Sequence, residues 1–72
     1  MSKIDNLSST DVIKVLLKIG YNIIRQKGSH ILLKNKNNKL IVVPNHKNLK
    51  IGTIFQIIKS TGLDKKEFEK LI

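Results

Sequence analysis

Residues 21–43 read YNIIRQKGSHILLKNKNNKLIVV, and the fold turns on how this stretch is divided. Residues 21–27 are rich in β-forming side chains and stop at Gly28. Residues 30–35 alternate, with His30, Leu32 and Lys34 on one face and Ile31 and Leu33 on the other. Lys36-Asn37-Asn38 makes a turn, because Asn tolerates positive φ. Residues 40–43 form a third strand, closed by Pro44, which has no N–H for a ladder. Three strands joined by such short turns predict an antiparallel meander. One ambiguity stays inside it. Ile23 and Ile24 are both apolar, so alternation does not assign them faces, and a bulge there would reset the pattern.

Helices flank the meander. Ser8-Ser9-Thr10-Asp11 has a hydroxyl and, three residues on, a carboxylate, as a capping box requires. Val12, Ile13, Val15, Leu16, Leu17 and Ile19 follow as one wide apolar face, with Lys14 and Lys18 opposite and Gly20 as the stop. The first helix is therefore expected over residues 9–19. A second is expected over residues 51–61, with Ile51, Ile54, Phe55, Ile57 and Ile58 on its apolar side and Gly62 ending it. Asp64-Lys65-Lys66-Glu67 repeats the capping pattern and starts a last helical turn carrying Phe68, Leu71 and Ile72. The expected class is α+β: α-β-β-β-α plus a C-terminal turn. Helices on one face of a three-stranded sheet would leave the other face open, partly apolar and largely basic.

Length and charge narrow the function. Seventy-two residues suit one domain, with about 60% of the unfolded surface buried. There is no cysteine, which fits a reducing cytoplasm and rules out disulfides and thiolate zinc sites. The start, Met1 to Asn6, is polar apart from Ile4 and does not resemble a signal peptide. No apolar run approaches the roughly 20 residues of a membrane helix, so no membrane role is expected. The net charge is +9. Between residues 12 and 63 there are ten Lys or Arg and no acid. Such a body attracts polyanions, nucleic acid first among them, or an acidic protein.

Within that basic body lies Arg25-Gln26-Lys27-Gly28-Ser29-His30, a glycine turn that delivers a histidine onto a strand. Together with Gly20-Tyr21, Val43-Pro44-Asn45-His46, Lys50-Ile51-Gly52-Thr53-Ile54, Ile57-Ile58-Lys59 and Gly62-Leu63, it resembles the HicA-type toxins, small mRNA interferases of bacterial and archaeal toxin–antitoxin pairs. The likeness runs from the first helix to Leu63. It implies a fold similar to a double-stranded-RNA-binding domain, RNA cleavage that requires His30, and a HicB-type antitoxin covering the active face of a monomeric toxin. Two departures are small: Tyr21 stands where phenylalanine is common, and Asn45 precedes His46 in a variable loop.

The residues suit that chemistry. Metal-free RNA cleavage runs through the substrate's own 2′-hydroxyl. It needs a group to take the proton, charge to stabilise the phosphorane, and a proton for the leaving 5′-oxygen. Histidine as a residue type serves the first or last role near neutral pH, and such transfer supplies roughly 10²–10⁴-fold, about 3–5 kcal/mol of barrier. Arg25, Lys27 and Lys34 are candidates for the phosphate. Gly28 allows close approach of RNA, and Ser29 could bind phosphate or orient the imidazole. His46 is the other imidazole and a weaker candidate for the second proton. No cofactor is expected. Two histidines with no carboxylate between residues 12 and 63 do not make a metal site. Tyr21, Phe55 and Phe68 are all expected in the core, so RNA would be read by shape and phosphate. Two other readings compete: a non-catalytic RNA-binding module of the same fold, and a basic surface that only docks an acidic partner.

Overall fold

The computed structural model describes residues 4–72. Residues 1–3, where the polar N-terminal stretch begins, lie outside the described residues. The order is α1 (Ser9–Lys18), β1 (Asn22–Lys27), β2 (His30–Lys34), β3 (Leu40–Pro44), α2 (Ile51–Thr61) and α3 (Lys65–Lys70). The strands form one antiparallel sheet in the order β1-β2-β3. This is the expected α+β meander, consistent with a double-stranded-RNA-binding-domain-like architecture.

The elements begin and end for local reasons. Ser8 caps α1: its hydroxyl accepts from the Asp11 amide at 3.2 Å, and the Asp11 carboxylate accepts from the Ser8 amide at 3.0 Å. Asp64 and Glu67 form the same reciprocal pair before α3, at 2.8 and 3.0 Å. The Asn35 side-chain oxygen accepts from the amides of Asn37 and Lys39, and Asn38 takes φ 63°. That closes the β2–β3 turn and takes Asn35 out of the strand.

The core forms between α1, α2 and one sheet face. Ile31 and Leu33 of β2 and Ile41 and Val43 of β3 are buried there. Val12, Val15 and Leu16 of α1 meet them, with Ile54, Ile57 and Ile58 of α2 and Phe68 of α3. Tyr21 lies just before β1 and is buried.

Three apolar residues depart from expectation. Leu17, Ile51 and Phe55 are 46%, 48% and 44% exposed. The stripe that α2 buries is centred on Ile54, Ile57 and Ile58. At about 100° per residue, Phe55 lies a quarter turn away from Ile54, beyond the edge of that stripe. The burial of all three aromatics is therefore corrected: Tyr21 and Phe68 are core, and Phe55 is on the surface.

The ambiguity at Ile23 and Ile24 resolves as a bulge. Ile23 pairs with Leu33, but Arg25 pairs with Leu32, so Ile24 is the extra residue. The bulge sets Ile23 on the helix side and turns Arg25 and Lys27 to the open side. All six residues of β1 are nonetheless exposed, because it is an edge strand and α1 and α2 pack against β3.

Candidate functional site

The open sheet face carries three rows of directly opposed residues. Lys27, His30 and Pro44 form the first. Arg25, Leu32 and Val42 form the second, and Asn22, Lys34 and Leu40 the third. His30 therefore sits beside Lys27 on one strand and Pro44 on the other, one row from Arg25. Lys34 is four residues along β2, about 13 Å from His30 at the usual strand rise. The predicted cluster thus divides. His30, Lys27 and Arg25 share one end of the sheet, and Lys34 lies at the other.

The turn that delivers His30 is a two-residue hairpin loop. Gly28 has φ 57°, and no positive φ is found at Ser29. Glycine at the first central position fits a type II′ turn, whose twist matches the strands. A Cβ at Gly28 would meet nothing within 4 Å. The glycine is needed there for its backbone angle. Gly28, Ser29 and His30 are all exposed, and among the described residues no hydrogen bond engages the His30 imidazole.

A residue that sequence reasoning had set aside anchors this turn. The amide of Asn45 donates to the carbonyl of Ser29 at 2.6 Å, extending the β2–β3 ladder past His30. The Asn45 side-chain oxygen accepts from the hydroxyl of Ser9, a polar residue that is 4% exposed. The chain then turns tightly, with the His46 amide donating to the Pro44 carbonyl at 3.0 Å. The His46 carbonyl in turn accepts from the Ser9 amide at 3.0 Å. One end of the sheet is thereby tied to the start of α1 and leads directly into α2. His30 and His46 flank Pro44, the first opposite it and the second two residues beyond. Lys47 and Lys50 follow on the same exposed loop.

Electrostatically the face is one-sided. The nearest sequence acid is Asp11, whose carboxyl is held below its ordinary value of 3.8 mainly by the Ser8 amide, helped by the Ser8 hydroxyl. Asp11 is committed to the α1 cap, and the span between residues 12 and 63 contributes no carboxylate to the cations on the face. The face can therefore hold a phosphate next to an exposed imidazole.

An α-β-β-β-α-α chain whose helices leave one face of a three-stranded antiparallel sheet open has the build of a double-stranded-RNA-binding-domain-like fold. Residues 9–63 match the family described as HicA toxin of bacterial toxin–antitoxin. The match covers most of the 72 residues, and the chain belongs to the HicA toxin family. Membership implies an antitoxin partner. A comparison with curated proteins finds no significant match. No helix among the described residues is long and apolar enough to cross a membrane.

Proposed function

We propose that the protein is the toxin of a type II toxin–antitoxin pair, a cytoplasmic mRNA interferase that cleaves RNA through His30 and so halts translation and growth. The 72 residues act as one domain. The observation that supports this reading most is the position of His30: exposed, on the uncovered sheet face, directly opposite Lys27 and one row from Arg25.

In this reading the RNA backbone lies along the end of the sheet near Gly28. Arg25 and Lys27 neutralise the non-bridging phosphate oxygens, Arg with a bidentate grip. Ser29 donates its hydroxyl to the same phosphate. The 2′-oxygen attacks the adjacent phosphorus and loses its proton, and the P–O5′ bond breaks. The 5′-oxygen leaves with a proton, which yields a 2′,3′-cyclic phosphate and a 5′-hydroxyl. His30 handles one of the two protons as general base or acid. No metal enters this path. Lys34, at the far end of the face, holds the strand as it leaves the site. The antitoxin silences the toxin by covering this face, and the toxin alone is a monomer.

The test is cleavage of a labelled mRNA by purified wild type and His30→Ala protein, with binding measured in parallel. Loss of cleavage with binding retained is expected. If His30→Ala cleaves as wild type does, while reversal of charge at Arg25 and Lys27 abolishes RNA binding, the protein is a non-catalytic RNA-binding module.

A further inference from the structure

At the end of the sheet, beside the first row, lies an open cavity of about 470 Å³ lined by Pro44, His46, Asn48, Leu49, Lys50 and Thr53. The volume falls within the roughly 300–1,000 Å³ typical of small-ligand sites. Its relation to His30 is fixed by the ladder. Asn45 is hydrogen-bonded to Ser29 in the adjoining pair, so His30 and Pro44 form the non-hydrogen-bonded kind of pair, with Cα atoms about 4.5 Å apart. Pro44 is thus both a wall of the cavity and the nearest cross-strand neighbour of His30.

The lining has the chemistry of a nucleobase site. Pro44 is half-buried and offers an apolar surface for a flat ring, while Leu49, a core residue at 6% exposure, closes the cavity floor. The other four side chains are polar. Among the described residues none of them makes a hydrogen bond to the protein, so their donors and acceptors are available to a ligand. Asn48 offers a donor and an acceptor on one amide, as a base edge demands, and Thr53 offers a hydroxyl. The His46 ring can stack on a base, and the Lys50 ammonium can reach a backbone phosphate. A site for a bare anion would not need the apolar walls. The loop bearing these groups is also held in place, by Ser9 N–H on the His46 carbonyl at 3.0 Å and Leu49 N–H on the Leu7 carbonyl at 2.8 Å.

We infer that this cavity is a nucleobase subsite, which takes the unpaired base of the nucleotide adjoining the phosphate at His30. This rests on the reading of His30 as the RNA-cleaving group. In that setting Asn48 and Thr53 read the base edge, His46 stacks on the ring, and the cleavage position acquires a base preference that the open sheet alone would not give.

Titration of the ¹⁵N-labelled full chain with each of the four nucleoside 5′-monophosphates, and with ribose 5-phosphate as the base-free control, tests the inference by NMR. The expected result is amide shifts at residues 45–53 that depend on the base, persist in His30→Ala, and exceed those seen with ribose 5-phosphate. Asn48→Ala should weaken the preferred nucleotide roughly three- to tenfold, as the loss of a hydrogen-bonded contact does. His46→Ala, at an exposed imidazole, is the second variant, and it should likewise weaken the base-dependent shifts. Equal shifts with ribose 5-phosphate, or shifts confined to residues 25–30, overturn the subsite. The two readings fail separately. A protein that cleaves RNA but shows no base-dependent shifts at residues 45–53 loses the subsite and keeps the catalytic reading. One that binds bases there but cleaves nothing keeps the subsite and loses the catalytic reading.

Discussion

The amide of Asn45 donates to the carbonyl of Ser29 at 2.6 Å, and this bond joins the turn that presents His30 to the loop that presents His46. The Asn45 side chain continues the connection to the Ser9 hydroxyl at 3.1 Å. The two bonds differ in what a substitution can remove. Asn45→Ala keeps the backbone bond and deletes the side-chain one, leaving the buried Ser9 hydroxyl without its acceptor. The expected cost is about 1–3 kcal/mol, read from urea unfolding. Ser9→Ala with Asn45→Ala should cost less than the sum of the two single changes. A strictly additive pair would mean that the Ser9–Asn45 bond contributes nothing.

Gly28 and Gly52 should respond in opposite directions. A methyl group meets open space at either position. Gly28 holds φ 57°, so Gly28→Ala should destabilise by about 1–2 kcal/mol through backbone strain alone. Gly52 lies within α2 without a positive φ, and Gly52→Ala should stabilise by about 0.5 kcal/mol. Denaturation midpoints of the two variants decide the matter. Equal effects would show that the turn does not require glycine.

The α1 cap should appear in the acid limb of stability. The folded Asp11 carboxyl titrates below its ordinary value of 3.8, chiefly because it accepts from the Ser8 amide. A depressed carboxyl contributes stability that is complete above the unfolded value and lost as pH falls through the folded one. Ser8→Ala should cost about 1 kcal/mol near neutral pH. Asp11→Asn should flatten the loss of stability below about pH 4. An unchanged acid limb in Asp11→Asn would contradict the link between the Asp11 carboxyl and the α1 cap.

The sheet and its covered face were legible in the sequence because the signals were local. Ile31 and Leu33, then Ile41 and Val43, alternate as a half-buried sheet requires, and all four are buried. Both capping boxes, the positive φ of Gly20 and Gly62, and the Asn38 turn also follow from neighbours a few residues apart. The β1 faces were not legible. Ile23 and Ile24 carry the same hydropathy, so only pairing with Leu33 and Leu32 reveals the bulge. Phe55 misled because a helix stripe can be drawn through it. The choice was made by α2's rotation against the sheet, which a single helix does not encode. Asn45 carries no local signal, because its partner Ser9 is 36 residues away.

Phe55 and Phe68 make that difference measurable. Phe68 is fully buried, and Phe68→Ala should cost about 3–5 kcal/mol. Phe55→Ser, at a 44% exposed site, should change stability by no more than about 0.5 kcal/mol. Thermal or urea unfolding separates the two. A large loss at Phe55 would contradict its position outside the α2 stripe.

Salt dependence tests the electrostatic part of the account. Binding of single-stranded RNA should weaken steeply as salt rises, and each lost phosphate contact should reduce the log–log slope by about 0.7. Arg25→Ala and Lys27→Ala should each do so and also slow cleavage. Lys34→Ala should weaken binding of a long RNA but leave the cleavage step largely intact, since it stands about 13 Å from His30. Cleavage lost equally at Lys34 and Lys27 would contradict the division of the face into a reacting end and a holding end.

The most direct measurement is a side-by-side comparison of wild type and His30→Ala in induced cells, scoring growth and mRNA integrity, with the purified variant's fold checked by its amide spectrum. The account predicts growth arrest and mRNA fragmentation with wild type, and neither with a folded His30→Ala protein that still binds RNA. Arrest and mRNA cleavage by His30→Ala at the wild-type level would contradict it.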